Sequence, residues 1–276
     1  MPQRLGIFYL PLVAWALLQA PRLQSAPNPV LIMADGTVMR YNGEYFAIGT
    51  GTGNMITKSP DLVHWGEFRP ALAEGVNAKF KGLDGAPDLV YVNGVFHIYY
   101  NGVGHAYAAA PTGPYVPTSV TEPFDPWGGI DLQLFPTDKG EWIYVKKRNA
   151  PNLNPLTGEK QELPYPQVWL WKLKSPWAVA WREEAPAYLA LFGTPNTWEQ
   201  VDKNNFEGPE LYQYHGLWYL LFVANCMSAR SGMYNVGVAV ADDPMAFDNA
   251  KKLPQPVLFR NTERTLLAYE PLLPTA

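Results

Sequence analysis

Residues 88–100, DLVYVNGVFHIYY, contain the local pattern that decides the fold. An acidic residue precedes a short apolar run, Asn93-Gly94 gives a turn signal, and aromatic and β-branched residues follow. This order is typical of a β-hairpin with a two-residue turn. Three further segments repeat it: residues 35–46 (DGTVMRYNGEYF), 131–145 (DLQLFPTDKGEWIYV) and 207–222 (EGPELYQYHGLWYLLF).

Four such hairpins in one chain predict a β-propeller, because each blade is a small sheet in a unit of roughly 40–50 residues. If each acid begins the innermost strand of its blade, Asp35, Asp88, Asp131 and Glu207 all point at one central cavity. Gathering carboxylates in a cavity costs free energy, which favours a functional explanation for the set. The alternative is that each acid only forms the turn before its strand.

The composition suits a single all-β domain that does not bind nucleic acid. Charged residues make up 17% of the 276 residues and aromatic residues 14%. Most of the aromatic side chains are expected to pack between blades, and some to form a surface that meets sugar rings. The formal net charge is −4 and there is no basic block, so nucleic acid is not expected as a partner.

Residues 1–26 are typical of a secretory signal peptide. Arg4 supplies the positive start, residues 5–18 form an apolar run, and small residues follow at Ala20 and at Ser25-Ala26. Residues 27–276 are then the mature propeller domain, which is expected to be secreted (extracellular or periplasmic) and free of the membrane. An uncleaved N-terminal anchor is the alternative. The single cysteine, Cys226, cannot form an internal disulfide.

The chain after residue 26 divides into four predicted blades and a short remainder. The blades cover residues 28–70, 82–116, a stretch that starts near 128 and includes the strand 168–173, and 204–247. Residues 59–65 are predicted to close the first blade as a turn and outer strand, and residues 149–166 to form a loop at the propeller mouth. Residues 256–259 could form a strand, but too few residues follow for a complete blade. Residues 29–33 are a candidate closing strand, and a truncated chain is the alternative.

Five motifs in this order resemble those of glycoside hydrolase family 43, which contains arabinofuranosidases, β-xylosidases and arabinanases. They are MADGTV (33–38) with Tyr45-Phe46, SPDLVHW (59–65), APDL (86–89), GID (129–131) with Leu134-Phe135, and FEGP (206–209) with GLWYL (216–220). The resemblance spans about residues 28–256 and implies an all-β, five-bladed β-propeller. In this chain the fifth blade is expected to be incomplete.

The resemblance implies a role for each candidate site residue. Asp35 would be the general base, Glu207 the general acid, and Asp131 the residue that orients the acid and modulates its pKa. Asp88 is expected on the pocket floor as a substrate-binding residue, with turn capping as the alternative. Trp127 is expected to stack on a sugar face, with core packing as the alternative.

The sequence departs from the family's motifs at three positions and in the fifth blade. Gly36 and Leu132 replace the usual Pro after each Asp, and Gly85 replaces a Trp. The family's fifth-blade Gly-His motif, which often holds a central ion or water, has no counterpart. No metal ligands are therefore assigned and no cofactor is expected to be required, with a structural calcium ion as the alternative.

The resemblance implies an inverting glycoside hydrolase that cleaves α-L-arabinofuranosyl or β-D-xylosyl linkages. Its partner would be an arabinose- or xylose-containing oligosaccharide or polysaccharide of the plant cell wall. Inversion requires two carboxyl groups roughly 6.5–9.5 Å apart with a water between them, and acids on separate blades can provide this gap. The alternatives are an inactive carbohydrate-binding propeller and a related propeller that acts on fructosyl or other sugars.

Overall fold

The computed structural model describes residues 30–76, 85–101, 104–118, 130–137, 142–148, 167–173, 175–177, 188–200, 206–225, 234–260 and 266–268. The predicted signal peptide, Cys226 and the predicted loop 149–166 lie outside these ranges. Residues from Met33 onward belong to one compact unit. Among the described residues, no helix combines the length and the apolar character that a membrane span requires.

Within the residues that the structure describes, seventeen strands form four antiparallel sheets, each in sequential order. The first sheet contains β1 (Ala34–Tyr41), β2 (Glu44–Thr50), β3 (Met55–Ser59) and β4 (Arg69–Pro70). The second contains β5 (Asp88–Val92), β6 (Val95–Tyr100), β7 (Gly104–Ala108) and β8 (Val116–Pro117). The third contains β9 (Ile130–Pro136), β10 (Trp142–Arg148), β11 (Gln167–Leu173) and β12 (Tyr188–Phe192). The fourth contains β13 (Phe206–Tyr214), β14 (Leu217–Ala224), β15 (Asn235–Ala241), β16 (Leu258–Arg260) and β17 (Leu266–Ala268).

The hairpins predicted from the repeated motif are confirmed where their turns are described. Asn42-Gly43, Asn93-Gly94 and His215-Gly216 all have positive φ at both positions, between 48° and 87°. Two-residue turns of this kind match the right-handed twist of the flanking strands, which explains the preference for Asn and Gly. Each turn therefore fixes the register of the inner strand against its neighbour, as in the pair Val92 and Val95.

The apolar core lies in the layers between neighbouring sheets. Strand β11 shows this most clearly, because its side chains alternate between two clusters. Val168 and Leu170 pack with blade four, whereas Trp169 and Trp171 pack with blade two, and all four are buried. A strand buried on both faces is expected to be continuously apolar, which is what residues 168–171 (VWLW) show. The predicted inter-blade role of the aromatic residues is confirmed.

The predicted five-bladed propeller with an incomplete fifth blade is confirmed: within the described residues four blades are sheets and there is no fifth sheet. The tail follows a path that the sequence did not predict. Residues after 251 pair with blade four: the N–H of Leu253 donates to the carbonyl of Val238 at 2.8 Å, and that of Val257 to Val236 at 2.8 Å. Strand β16 continues this outer edge and β17 pairs with β16. Within the described residues, the tail therefore enlarges blade four and forms no separate sheet.

Two local predictions were wrong. The outer strand of blade one is not in residues 59–65 but in β4, which pairs with β3. Residues 61–64 form only the predicted turn, because the Asp61 carboxylate accepts the N–H groups of Val63 and His64 at 2.9 and 2.8 Å. Residues 30–33, part of the predicted closing strand, do not form a strand.

Candidate active site

The four inner strands β1, β5, β9 and β13 begin around a shared cavity of about 170 Å³. Its walls are residues 35–37, 86–88, 131–133 and 208–210. Asp35, Asp88 and Asp131 therefore face one space, as predicted, and Glu207 directly precedes the fourth wall. Glu210, which was not predicted, adds a further carboxyl group to the same cavity.

Three of the four predicted acids are placed by β-bulges. In β1, Asp35 and Gly36 lie opposite one residue of β2, and in β9, Asp131 and Leu132 lie opposite one residue of β10. In β13 the extra residues are Gly208 and Pro209, directly after Glu207. A bulge leaves residues out of the ladder and re-aims their side chains, and bulges are common beside active sites.

The backbone is strained at the same places. Asp35 has φ of 44° and Asp131 has φ of 53°, a left-handed conformation that non-glycine residues rarely adopt. Such a conformation costs on the order of 1–3 kcal/mol each and persists only when the surrounding structure enforces it. Gly208, with φ of 52°, meets the same demand in β13 without a Cβ. A left-handed backbone at three inner strands that share one cavity, strained at Asp35 and Asp131, favours a functional explanation for these acids.

Asp131 links three blades through hydrogen bonds. Its Oδ2 accepts the N–H of Gly208 on blade four at 2.9 Å, and its own N–H donates to Oδ1 of Asn101 on blade two at 2.9 Å. The first bond fixes the residue that follows Glu207, so Asp131 sets the position of the Glu207 backbone. The predicted orienting role has a direct geometric basis here.

A second link between blades three and four was missed from the sequence. The Gln133 side chain lies across β13, where its Oε1 accepts the N–H of Leu211 at 2.6 Å and its Nε2 donates to the carbonyl of Leu211 at 3.4 Å. The amide side chain thus replaces a pair of ladder hydrogen bonds between two inner strands. Together with the Asp131 bond it holds β9 against β13.

Glu207 is partly buried and its carboxylate accepts a hydrogen bond at Oε2 from the hydroxyl of Tyr234. Tyr234 lies just before β15, and nothing in its sequence neighbourhood indicates this contact. Side chains alternate between the two faces of a strand, so the sequence of β15 could indicate that Tyr234 shares a face with Glu207, but only once the strand register is known.

Asp88 differs from the other three acids because it sits in regular register, opposite Tyr99. Its Oδ2 accepts the N–H of Leu134 on blade three at 2.7 Å. Burial of the carboxyl raises the pKa of Asp88 to about 7, with a smaller contribution from the negative charge of Glu210. The Leu134 bond acts in the opposite direction. This carboxyl lines the cavity.

The remaining predicted site residue, Trp127, lies outside the described residues. Within the described part of the chain, no group of three or more His, Cys, Asp or Glu is arranged to hold a metal ion. His97 and His105 pair with each other between blades two and three, where His97 Nδ1 lies 2.9 Å from His105 Nε2.

Comparisons with known proteins agree with this fold. An endo-1,4-beta-xylanase from Bacteroides thetaiotaomicron VPI-5482 is 23% identical, with a TM-score of 0.63, and the match covers 85% of this chain and 82% of that one. A thermostable family-43 glycoside hydrolase is 21% identical, with a TM-score of 0.66 over 87% of this chain and 78% of that one. An alpha-L-arabinanase from Cellvibrio cellulosa in complex with arabinohexaose is 17% identical, with a TM-score of 0.59 over 84% and 79%.

These structural similarities establish the shared fold, and the sequence establishes the family. No curated protein matches the sequence. The family profile described as "Glycosyl hydrolases family 43", in contrast, matches residues 26–267, which include all four inner strands and the four predicted acids. The chain belongs to glycosyl hydrolases family 43.

Proposed function

We propose that this protein is an inverting glycoside hydrolase that cleaves α-L-arabinofuranosyl or β-D-xylosyl linkages in plant cell-wall oligosaccharides or polysaccharides. The observation that carries the proposal is the set of three β-bulges at the starts of inner strands around one cavity: two of them contain Asp35 and Asp131, and the third directly follows Glu207. A purely structural turn former would not need a left-handed backbone within a bulge on three separate blades.

In the proposed mechanism the carboxyl groups of Asp35 and Glu207 divide the proton transfers. Glu207 donates its proton to the glycosidic oxygen as the bond to the anomeric carbon breaks. Asp35 removes a proton from the water that attacks the anomeric carbon from the opposite face. Asp35 is solvent-exposed, so water can reach its carboxylate, whereas Glu207 is partly buried.

Asp131 acts on this pair through position and charge. Its hydrogen bond to the Gly208 N–H fixes the backbone beside Glu207. A second negative charge near Glu207 also disfavours ionisation of the general acid, which keeps it protonated for the reaction. The mechanism needs no cofactor, because carboxyl groups perform both proton transfers, and we expect hydrolysis to survive dialysis against EDTA.

The substrate class rests on the family and on the activities of similar solved structures. These include a xylanase, an arabinanase with arabinohexaose and an alpha-L-arabinofuranosidase from Clostridium thermocellum. Pentose sugars are the common element, which supports arabinofuranosides and xylosides as the first substrates to test. We further propose that residues 1–26 direct secretion and are removed, which N-terminal sequencing of the secreted protein would test.

The decisive experiment measures turnover of aryl α-L-arabinofuranosides, aryl β-D-xylosides and the corresponding natural oligosaccharides by the wild type and by Glu207→Gln. The variant keeps the shape of the side chain and removes the transferable proton, so activity on natural oligosaccharides should fall by about 10²–10⁴-fold. Glu44→Gln is the matched control, because Glu44 pairs with Lys58 at 2.7 Å, away from the cavity. Activity of Glu207→Gln within a few-fold of wild type would contradict the assignment.

A second function is an inactive carbohydrate-binding propeller. It is favoured by the tail, which enlarges blade four where a further blade is expected. Binding of arabinan or xylan without turnover of any aryl pentoside would select this alternative. If turnover occurs, NMR of the first-formed sugar decides the stereochemistry, and a product that retains the substrate's configuration would exclude inversion.

A further inference from the structure

Tyr234 is the one residue outside the inner strands that the structure places on the Glu207 carboxylate by a described hydrogen bond. The strand register explains how it gets there. Glu207 pairs with Val223 of β14, and Val223 pairs with Val236 of β15, so these three side chains share one face of blade four. Side chains alternate along a strand, so Tyr234, two positions before Val236, lies on that same face.

The hydrogen bond has a defined direction. The Tyr234 hydroxyl donates and Oε2 of Glu207 accepts. A protonated carboxyl group has one carbonyl-type oxygen, the better acceptor, and one hydroxyl-type oxygen that carries the proton. A donor fixed on Oε2 therefore favours the acid form in which the proton is on Oε1.

We propose that Tyr234 is a positioning residue for Glu207, which holds Oε2 so that the transferable proton is carried on Oε1 and is presented to the glycosidic oxygen. This inference rests on the proposed function, in which Glu207 is the general acid. The terminal torsion of a glutamate side chain is broad, so the carboxyl plane is poorly fixed without a partner. General acid catalysis depends on that alignment.

The proposal gives Glu207 two independent supports. The Asp131 bond to Gly208 at 2.9 Å fixes the backbone next to Glu207, from blade three. The Tyr234 bond fixes the carboxyl end, from within blade four. Loss of the second support should leave the strand in place and disturb only the presentation of the proton.

The test is Tyr234→Phe, which removes the hydroxyl and keeps the ring. The assay uses two aryl glycosides of the pentose that the wild type hydrolyses, one with a dinitrophenyl leaving group and one with an unsubstituted phenyl leaving group. A dinitrophenolate departs with little protonation, whereas phenolate needs the general acid. We expect kcat/KM to fall about 10- to 100-fold on the phenyl glycoside and less than about threefold on the dinitrophenyl glycoside.

Tyr214→Phe is the matched control, because Tyr214 is on the same blade but is 65% exposed at the hairpin end of β13. It should leave both rates unchanged. Glu207→Gln is the reference, and it should show the same selective loss as Tyr234→Phe but a larger one. Circular dichroism and melting temperature confirm that each variant is folded.

The outcomes separate this inference from the proposed function. A wild type that hydrolyses neither substrate defeats both. A wild type with a selective defect in Glu207→Gln, combined with equal losses on both substrates or no loss in Tyr234→Phe, overturns the role of Tyr234 and leaves the proposed function standing. Only the selective loss supports the positioning role.

Discussion

Replacing the buried histidine pair should change the pH dependence of the free energy of unfolding. The number of protons taken up on unfolding below about pH 6.5 should decrease by about two. His97 and His105 are 1% and 3% exposed and hydrogen-bond to each other, and Thr118 Oγ1 lies 2.5 Å from His105 Nδ1. Burial lowers the pKa of His97 from 6.5 to about 4. Burial, together with the neighbouring His97, lowers the pKa of His105 from 6.5 to about 3. Both rings are therefore neutral in the folded protein above about pH 5.

The direction follows from proton counts. Below the ordinary histidine pKa the unfolded chain binds two protons that the folded protein excludes, so stability falls as the pH decreases from about 6.5. Asp88 acts in the opposite direction, because its pKa is raised to about 7. Its folded form keeps a proton that the unfolded chain releases near pH 4, so its contribution is lost as the pH rises toward 7.

Each proton that only one of the folded and unfolded states binds changes the free energy of unfolding by about 1.4 kcal/mol per pH unit. As the pH rises from about 4.5 to about 6, the two histidines raise the free energy of unfolding by about 2.7 kcal/mol per pH unit and Asp88 lowers it by about 1.4 kcal/mol per pH unit. The three groups together therefore raise it by about 1.4 kcal/mol per pH unit. In a His97→Gln, His105→Gln variant only Asp88 of the three remains, and its contribution falls by a similar amount. The slopes of wild type and variant should thus differ by up to about 2.7 kcal/mol per pH unit.

Urea unfolding at several pH values in that range measures both slopes, and contributions from all other groups cancel in the difference. His215→Asn is the control, because His215 is exposed in a hairpin turn with φ of 48°, which Asn adopts readily, and the buried pair stays intact. The reasoning would be refuted if the slopes of the free energy of unfolding against pH, for wild type and double variant, differed by less than the equivalent of about half a proton.

Three further outcomes are expected. Lys252→Met should lower the free energy of unfolding by about 3–5 kcal/mol, because the buried carboxylate of Glu199 loses the ammonium group that lies 2.7 Å away. Urea unfolding measures this loss, and adding Glu199→Gln to the variant should restore part of it. Gly237→Ala should cost about 1–3 kcal/mol in the same assay, since its Cβ would lie 2.3 Å from Cζ of Phe222, and an unchanged midpoint would show that blade four can relax around a methyl group. The hairpin end of β13 and β14 in blade four should promote self-association, because it exposes Tyr212 (45%), Tyr214 (65%) and Leu217 (40%). Light scattering after size exclusion would detect the association, and a strictly monomeric protein would contradict it.

Several features of the site could be predicted from the sequence because they depend on short stretches of chain. Asn-Gly and His-Gly pairs adopt positive φ at both positions, so the hairpins follow from local turn chemistry. Alternation of apolar side chains then indicates which strand faces are buried. Once four hairpins of one kind are recognised, the acids that precede them are predicted to meet, and Asp35, Asp88 and Asp131 do share a cavity.

Other features could not be predicted because they depend on contacts between blades or between strands. The tail gave no local sign that it would pair with β15 instead of starting a new sheet. The wrong outer strand of blade one has a similar cause, since the turn in residues 59–65 was predicted locally, but which later residues pair with β3 is decided by contacts between strands.

By itself the sequence determined the propeller, its hairpins and the acids at the starts of the inner strands. Only the tertiary structure decided how those acids are held: the bulges, the Asp131 bond to Gly208, the Gln133 bond to Leu211 and the Tyr234 bond to Glu207. The partners in these bonds are 27 to 78 positions apart. Turn chemistry and side-chain alternation operate within about ten residues, whereas hydrogen bonds of such separation form only when packing of the blades brings distant backbone and side chains together.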